Sequence, residues 1–377
     1  MNRFVKTALA LAVAGSAANA GTGDNEWAAL DSEITGLAAS LKPSQDNLGW
    51  SGLLRGGFTY STDDIATAGG DDTSGASFND VDIAFWGTQG PYSWRVNTDI
   101  NNNEGGSGTL IELEDAWVRW TCADYFDAYV GNMKPRVSRS NSTDPEKLLF
   151  IDRTAIGSAF DGWDNGFAAS GRQEQLFWGF WFLNGSNGHE SDHTAVLRAE
   201  FDLGSGAGEY EGAMGSTDTL NGTIGLTFAN DDATATPGPG GGSDMNLWLL
   251  DFHGSVSQIG FGGEIAKLND DVVLGTDEDF SNVTPGLTFY GDTQPWSLYG
   301  SYAITPDWEV AVRLEDLDNG EDITGANQDD NTILSIGANY YRGTNAKWQA
   351  QWSSFDADSA FADGEVFEVG FAIGASR

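Results

Sequence analysis

TAVLRAEFDL, residues 194–203, decides the fold. Ala195, Leu197, Ala199, Phe201 and Leu203 alternate with Val196, Arg198, Glu200 and Asp202. Successive side chains of a strand point to opposite faces, so this strand has one apolar face and one charged face. The pattern recurs four times. Trp308, Val310, Val312 and Leu314 oppose Glu309, Ala311, Arg313 and Glu315; Trp94, Val96, Thr98 and Ile100 oppose Arg95, Asn97 and Asp99. Trp348, Ala350 and Trp352 oppose Lys347, Gln349 and Gln351, and Phe367, Val369, Phe371 and Ile373 oppose Glu368, Gly370 and Ala372. Full charges on the polar faces require water, and the apolar faces carry aromatics at their ends. Strands of roughly ten residues with this alternation build a water-filled barrel in lipid. A soluble β-sandwich used for adhesion is the competing reading; it would bury its aromatics in a closed core.

The remaining sequence supplies the setting. Arg3 and Lys6 precede the apolar run Ala8–Ala14, and Ala18-Asn19-Ala20 is a small-x-small cleavage site. Residues 1–20 therefore read as a secretory signal peptide removed before Gly21. No later stretch offers about twenty consecutive apolar residues, so the expected location is a bacterial outer membrane. In residues 21–47, Trp27, Leu30, Ile34, Leu37 and Leu41 follow heptad spacing between a capping Asp24 and a terminating Pro43. This short helix suits either an oligomeric coiled coil or a docking segment at the barrel mouth. Residues 48–377 form the barrel. The fold class is all-β, a transmembrane antiparallel β-barrel of about sixteen strands with a short N-terminal helix.

Seventeen strand candidates follow, one too many for an even barrel. The weakest are 50–61, which is glycine-rich, and 282–290, which is short. Short turns such as Thr305-Pro306-Asp307 alternate with long acidic segments, Thr62–Ser74, Asn230–Asp244, Asn269–Asp279 and Asp316–Asp330. With 18 basic and 56 acidic residues the net charge is −38, which excludes a nucleic-acid partner. The single cysteine excludes an intrachain disulfide. His189 and His193 have i, i+4 spacing but lie in a Gly/Asn-rich stretch. No metal site, cofactor or catalytic constellation is assigned, and the chain does not read as an enzyme.

Gly131–Gly171 breaks the strand rhythm. Within it Lys134, Arg136, Arg139, Lys147 and Arg153 cluster against an acidic background. The expectation is a loop, 136–160, folded inward as a constriction with these cations at the narrow point. Lumen-facing charges on the strands are Arg55, Arg95, Arg119, Arg198, Arg313 and Lys347, set against Asp99, Asp115, Glu200, Asp202, Glu309, Glu315 and Glu368.

This segment resembles the phosphate-selective porin O and P family. The resemblance rests on the strand LEDAWVRW (Leu113–Trp120), the Gly131-Asn-Met-Lys134-Pro135 turn, Phe150-Ile151-Asp152-Arg153 and Asp164-Asn165-Gly166. It covers roughly 110–185. It implies a sixteen-stranded outer-membrane barrel, usually a homotrimer, that passes small solutes and ions passively. The expected surroundings of such a barrel are outer-membrane lipid and lipopolysaccharide, the latter bridged by divalent ions. The mixed lumen charge points to a general, weakly selective pore; a phosphate- or anion-selective channel is the alternative.

Overall fold

The computed structural model describes residues 48–62, 72–100, 111–185, 193–231, 245–269, 293–318, 331–343, 345–357 and 364–376. The expected signal peptide, the helix over 21–47 and the strand candidate 282–290 lie outside these residues.

Sixteen strands follow in chain order: β1 (Leu48–Ser61), β2 (Thr73–Gln89), β3 (Tyr92–Asp99), β4 (Glu112–Ala123), β5 (Phe126–Met133), β6 (Asp164–Gln173), β7 (Leu176–Leu183), β8 (Thr194–Leu203), β9 (Asn221–Asp231), β10 (Met245–Val256), β11 (Ile259–Asn269), β12 (Trp296–Thr305), β13 (Trp308–Asp316), β14 (Asn331–Tyr341), β15 (Ala346–Ala357) and β16 (Gly364–Ser376). Each pairs with its sequence neighbours, and β1 meets β16 antiparallel to close the barrel. Closure leaves no unpaired edge, the condition for a sheet to stand in hydrocarbon. The glycine-rich 50–61 is a strand, because closure supplies partners that its composition alone would not.

The alternation read from sequence holds in space. Leu197, Val310 and Val369 are exposed on the outside, whereas Val196, Ala311 and Gly370 point inward. Outward apolar side chains rule out the closed-core sandwich. Among the described residues no helix is long and apolar enough to cross a membrane.

Odd-numbered strands run away from an end with tight turns, such as Gly90-Pro91, Glu174-Gln175 and Pro306-Asp307. All four acidic segments join strands at the opposite end. Aromatic residues at the ends of apolar stripes are expected in two girdles, one at each membrane interface, but Trp50, Trp94, Trp308, Trp348 and Tyr340 all belong to the tight-turn end. The reason is parity: four open odd-numbered strands and Tyr340 closes an even one. Trp308 packs on Tyr340 with centroids 4.9 Å apart. The Phe228–Trp248 pair, also 4.9 Å, stands toward the other end.

One connection at the tight-turn end is long. Residues 204–220, between β8 and β9, turn back into the barrel: Glu211 and Ala213 are buried. The expectation of uniformly short turns at this end fails here. The run GSGAGEYEGAMG, 204–215, supplies the left-handed backbone that a re-entrant turn needs, at Gly204, Gly206, Gly212 and Gly215.

Candidate functional site: the inward loop and the channel beside it

The β5–β6 connection fills much of the lumen. It contains α1 (Arg139–Ser142), a 3₁₀ turn at Pro145–Lys147 and α2 (Ala155–Ala159). Ser138 and Asn141 cap α1 reciprocally, and the Thr154 hydroxyl accepts from the Gly157 amide to start α2. Val137, Ile156 and Phe160 join Trp181, Leu247 and Ile333 of the wall in one buried cluster; Leu149 and Phe150 join Tyr299 and Ala311 in a second.

Polar anchors repeat the same connection. Arg198 donates to the Val137 carbonyl at 2.9 Å, Arg55 to Ile151 at 2.6 Å, Arg313 to Asp152 at 3.0 Å and Lys347 to Leu148 at 2.5 Å. In return the Ile151 amide donates to Gln351 at 2.9 Å and the Ala155 amide to Glu315 at 2.8 Å. Four of the lumen-facing cations named from sequence therefore carry the loop. A buried carbonyl without a donor costs free energy, so these contacts fix the loop's path.

The motif Phe150–Arg153 is used at every position. The Arg313 guanidinium lies 4.5 Å from the Phe150 ring centre. Ile151 and Asp152 offer the carbonyls just described. Arg153 bonds within the loop, to the Ser140 carbonyl at 2.6 Å, the Thr143 carbonyl and Asp161 at 2.7 Å. Lys134 also pairs with Asp161. Burial pushes the Asp161 carboxyl up, but Arg153 and Lys134 together hold it below its ordinary value. Burial lowers the Lys134 ammonium, and Asp161 restores part of the shift.

The re-entrant 204–220 segment meets the loop from the other end. The Leu149 amide donates to the Glu211 carboxylate at 3.1 Å, and the Glu211 amide to the Lys147 carbonyl at 3.0 Å. Arg139 donates to the Gly208 and Glu209 carbonyls. The Ala213 amide reaches Glu309 on β13 at 2.6 Å. Loop and segment together occupy the β8–β15 side of the lumen.

A continuous cavity of about 2090 Å³ remains on the other side. It is lined from Ile111 and Asn184 at the long-loop end to Thr88 and Asn345 at the tight-turn end. Twelve carboxylates and eight basic side chains line it. Arg95 pairs with Asp115 at 2.8 Å and Arg119 with Asp127 at 3.8 Å; Arg55 pairs with Asp80. Asp99 accepts from the Val81 amide at 3.1 Å. Lys134, Arg136, Lys147 and Arg153 touch this cavity, whereas Arg139 borders a smaller one of about 470 Å³ together with Arg136, Arg198 and Glu200. Arg136 is 3.4 Å from Glu200, and Lys147 is 2.8 Å from Asp144. Burial and the Asp144 charge raise the Glu146 carboxyl.

Residues 54–228 match the family described as phosphate-selective porin O and P. The chain is an outer-membrane porin. The family match spans the wall from within β1 to within β9, including the inward loop and the re-entrant segment. The porin's fold is similar to that of an anion-selective porin from Comamonas acidovorans, with a TM-score of 0.57 at 11% identity over 87% of this chain and 99% of that one. It is likewise similar to a loop-deleted OmpT of Vibrio cholerae (TM-score 0.57, 14% identity, 87% and 99% covered) and to opdK of Pseudomonas aeruginosa (0.51, 12%, 88% and 99%). No curated protein matches the porin in sequence.

Two features escaped the sequence reading. The first is the re-entrant segment, whose signal was glycine at a tight-turn position. The second is the inward aromatics of β4, β5 and β7. β7 reads LFWGFWFL, apolar on both faces, which is the sign that its inner side is not simply wet.

Proposed function

We propose that this porin passes small hydrophilic solutes and ions passively and with weak selectivity that leans toward cations. The observation that carries this is the lining of the open cavity, where carboxylates outnumber basic groups twelve to eight. Four of the six strand cations that a phosphate-conducting ladder would need are engaged with loop carbonyls. The inward loop itself carries Arg136, Arg139, Lys147 and Arg153 against Asp144, Glu146 and Asp152, close to neutral. Charge near a narrow point sets selectivity most strongly, because screening there is least. On this reading Lys134, Arg136, Arg139, Lys147 and Arg153 shape the constriction, and the −38 net charge concentrates cations at the mouths. A cleaved signal peptide, contact with lipopolysaccharide and a homotrimer complete the proposal, supported by the N-terminal sequence and the family resemblance.

The test is single-channel recording in a planar bilayer with a salt gradient. Expected is a reversal potential of cationic sign that grows as salt falls, since the screening length lengthens from ~8 Å at 0.15 M to ~30 Å at 0.01 M. Block of chloride current by micromolar phosphate would establish the anion-selective alternative instead. An absence of ohmic conductance would overturn the channel itself.

A further inference from the structure

A porin lumen is ordinarily polar, yet five aromatic side chains line one wall of this channel: Trp163, Trp117, Tyr129, Trp181 and Phe177. Their register is ordered. Trp163 precedes Asp164, which pairs with Met133 near the long-loop end. Trp117 pairs with Gly131; Tyr129 pairs with Ala168, which pairs in turn with Trp181; Phe177 pairs with Arg172 near the tight turn. The rings thus descend the wall from one end of the barrel toward the other. Trp117 and Tyr129 meet edge to face at 5.6 Å.

The positions between them are small. Gly131, Gly166, Ala168, Ser170 and Gly179 stand on the inward faces of β5, β6 and β7. A Cβ at Gly179 would fall 2.4 Å from the Trp181 ring, so that ring lies back along the wall in space only glycine leaves. Trp117, Tyr129 and Phe177 are only partly buried, packed on one side against the cluster that anchors the loop and bordering the cavity on the other.

The two ends of the strip carry charge. The Lys134 ammonium sits 4.4 Å from the Trp163 ring centre, and the Arg136 and Arg172 guanidiniums lie 5.0 and 5.6 Å from that of Phe177. An organic cation would meet these resident cations at both ends. An anion would meet the carboxylate excess of the lining. A pure hydrocarbon would strip water from charged neighbours without replacing it. A neutral, polyhydroxylated ring fits all three constraints: its C–H face covers the aromatic strip, and its hydroxyls hydrogen-bond to Lys134, Asp161 and Arg136.

We propose that the strip from Trp163 to Phe177 is a binding track for neutral saccharides moving through the channel. The inference rests on the open channel proposed above. Single-channel current is recorded with maltotetraose, cellotetraose or a polyethylene glycol of similar mass, for the full-length protein and for Trp163→Ala, Trp117→Ala and Trp117→Phe. Expected is saturable interruption of the current by at least one saccharide and not by the polyethylene glycol. Each alanine variant should weaken it by roughly fivefold or more, with Trp117→Phe close to the parent, from the loss of one aromatic face. Trp163 lies outside the strands, so Trp163→Ala keeps the test valid if Trp117→Ala fails to assemble. Normal conductance with no saturable saccharide block, or block unchanged in Trp163→Ala, would overturn the track and leave the channel reading standing. Stronger block by tetraethylammonium than by either saccharide would overturn it too.

Discussion

Arg198 on β8 donates to the Val137 carbonyl at 2.9 Å, at the point where the inward loop leaves the wall. The same guanidinium is held by Asp251 at 2.7 and 3.0 Å and by Glu200 at 2.8 Å. It is almost fully buried. Its charge is committed to the protein and is not presented to passing ions. Arg198→Ala would leave Asp251 buried without its guanidinium partner, while Glu200 keeps Arg136 at 3.4 Å, at a cost of about 3–5 kcal/mol. The expected result is a lower temperature for loss of the compact band on a heat-modifiability gel, with a noisier open channel. Arg198→Lys should rescue little, because an ammonium cannot make the forked pairing.

Arg153→Ala should act on gating noise more than on selectivity, since its donors go to Ser140, Thr143 and Asp161 of the loop itself. Asp161 is held below its ordinary value, so its contribution is fully present above about pH 4 and is lost as pH falls through the depressed value. Current noise in the parent should therefore rise only in strong acid, and Arg153→Ala should show that noise at neutral pH. A quiet Arg153→Ala channel with altered ion preference would contradict this division of roles.

Glu146 borders the channel with its carboxyl raised by burial and by Asp144. It gains its proton at a higher pH than an ordinary glutamate, whose value is about 4.3. Glu146→Gln should be less cation-preferring than the parent at pH 7. The difference should close before pH falls to the ordinary range, as the parent side chain becomes neutral. Reversal potentials across a pH series decide this; a gap that persists to pH 4 would refute it.

Leu197→Arg, Val310→Arg and Val369→Arg place a charge toward lipid and should each cost ~2–4 kcal/mol near the midplane. Their inward neighbours Val196, Ala311 and Gly370 are not fair controls. Val196 and Ala311 are buried in the clusters that hold the loop, and a Cβ at Gly370 would fall 3.5 Å from the Ile151 side chain. Ser51→Arg and Thr88→Arg, on the open cavity, should fold with yields near the parent's. Equal yields for the lipid-facing and channel-facing sets would refute the assignment of faces.

Gly212 carries a φ of +95°, and a Cβ there would meet Glu309 Oε1 at 2.5 Å. Gly212→Ala should strain the re-entrant segment by about 1–3 kcal/mol. Conductance should increase as the segment lifts from the Leu149–Glu211 contact. An unchanged conductance would show that the segment does not limit the path.

Periodicity in the sequence determined the barrel and its faces, because a strand between lipid and water must alternate at every residue. Arg198, Arg313 and Lys347 were legible as inward for that reason. The cationic loop was legible as irregular, since Gly131–Gly171 loses the two-residue period. What the tertiary structure decided is which inward groups meet water. The loop crosses to β13, β14 and β15, strands more than 150 residues later in the chain, and no local pattern records such a contact. Once it docks, the wall cations of one side satisfy its carbonyls, and the open path shifts to the side lined by Arg95, Asp115 and the aromatics of β4 to β7. Alternation assigns a side chain to a face; only packing across the lumen determines whether that face is covered.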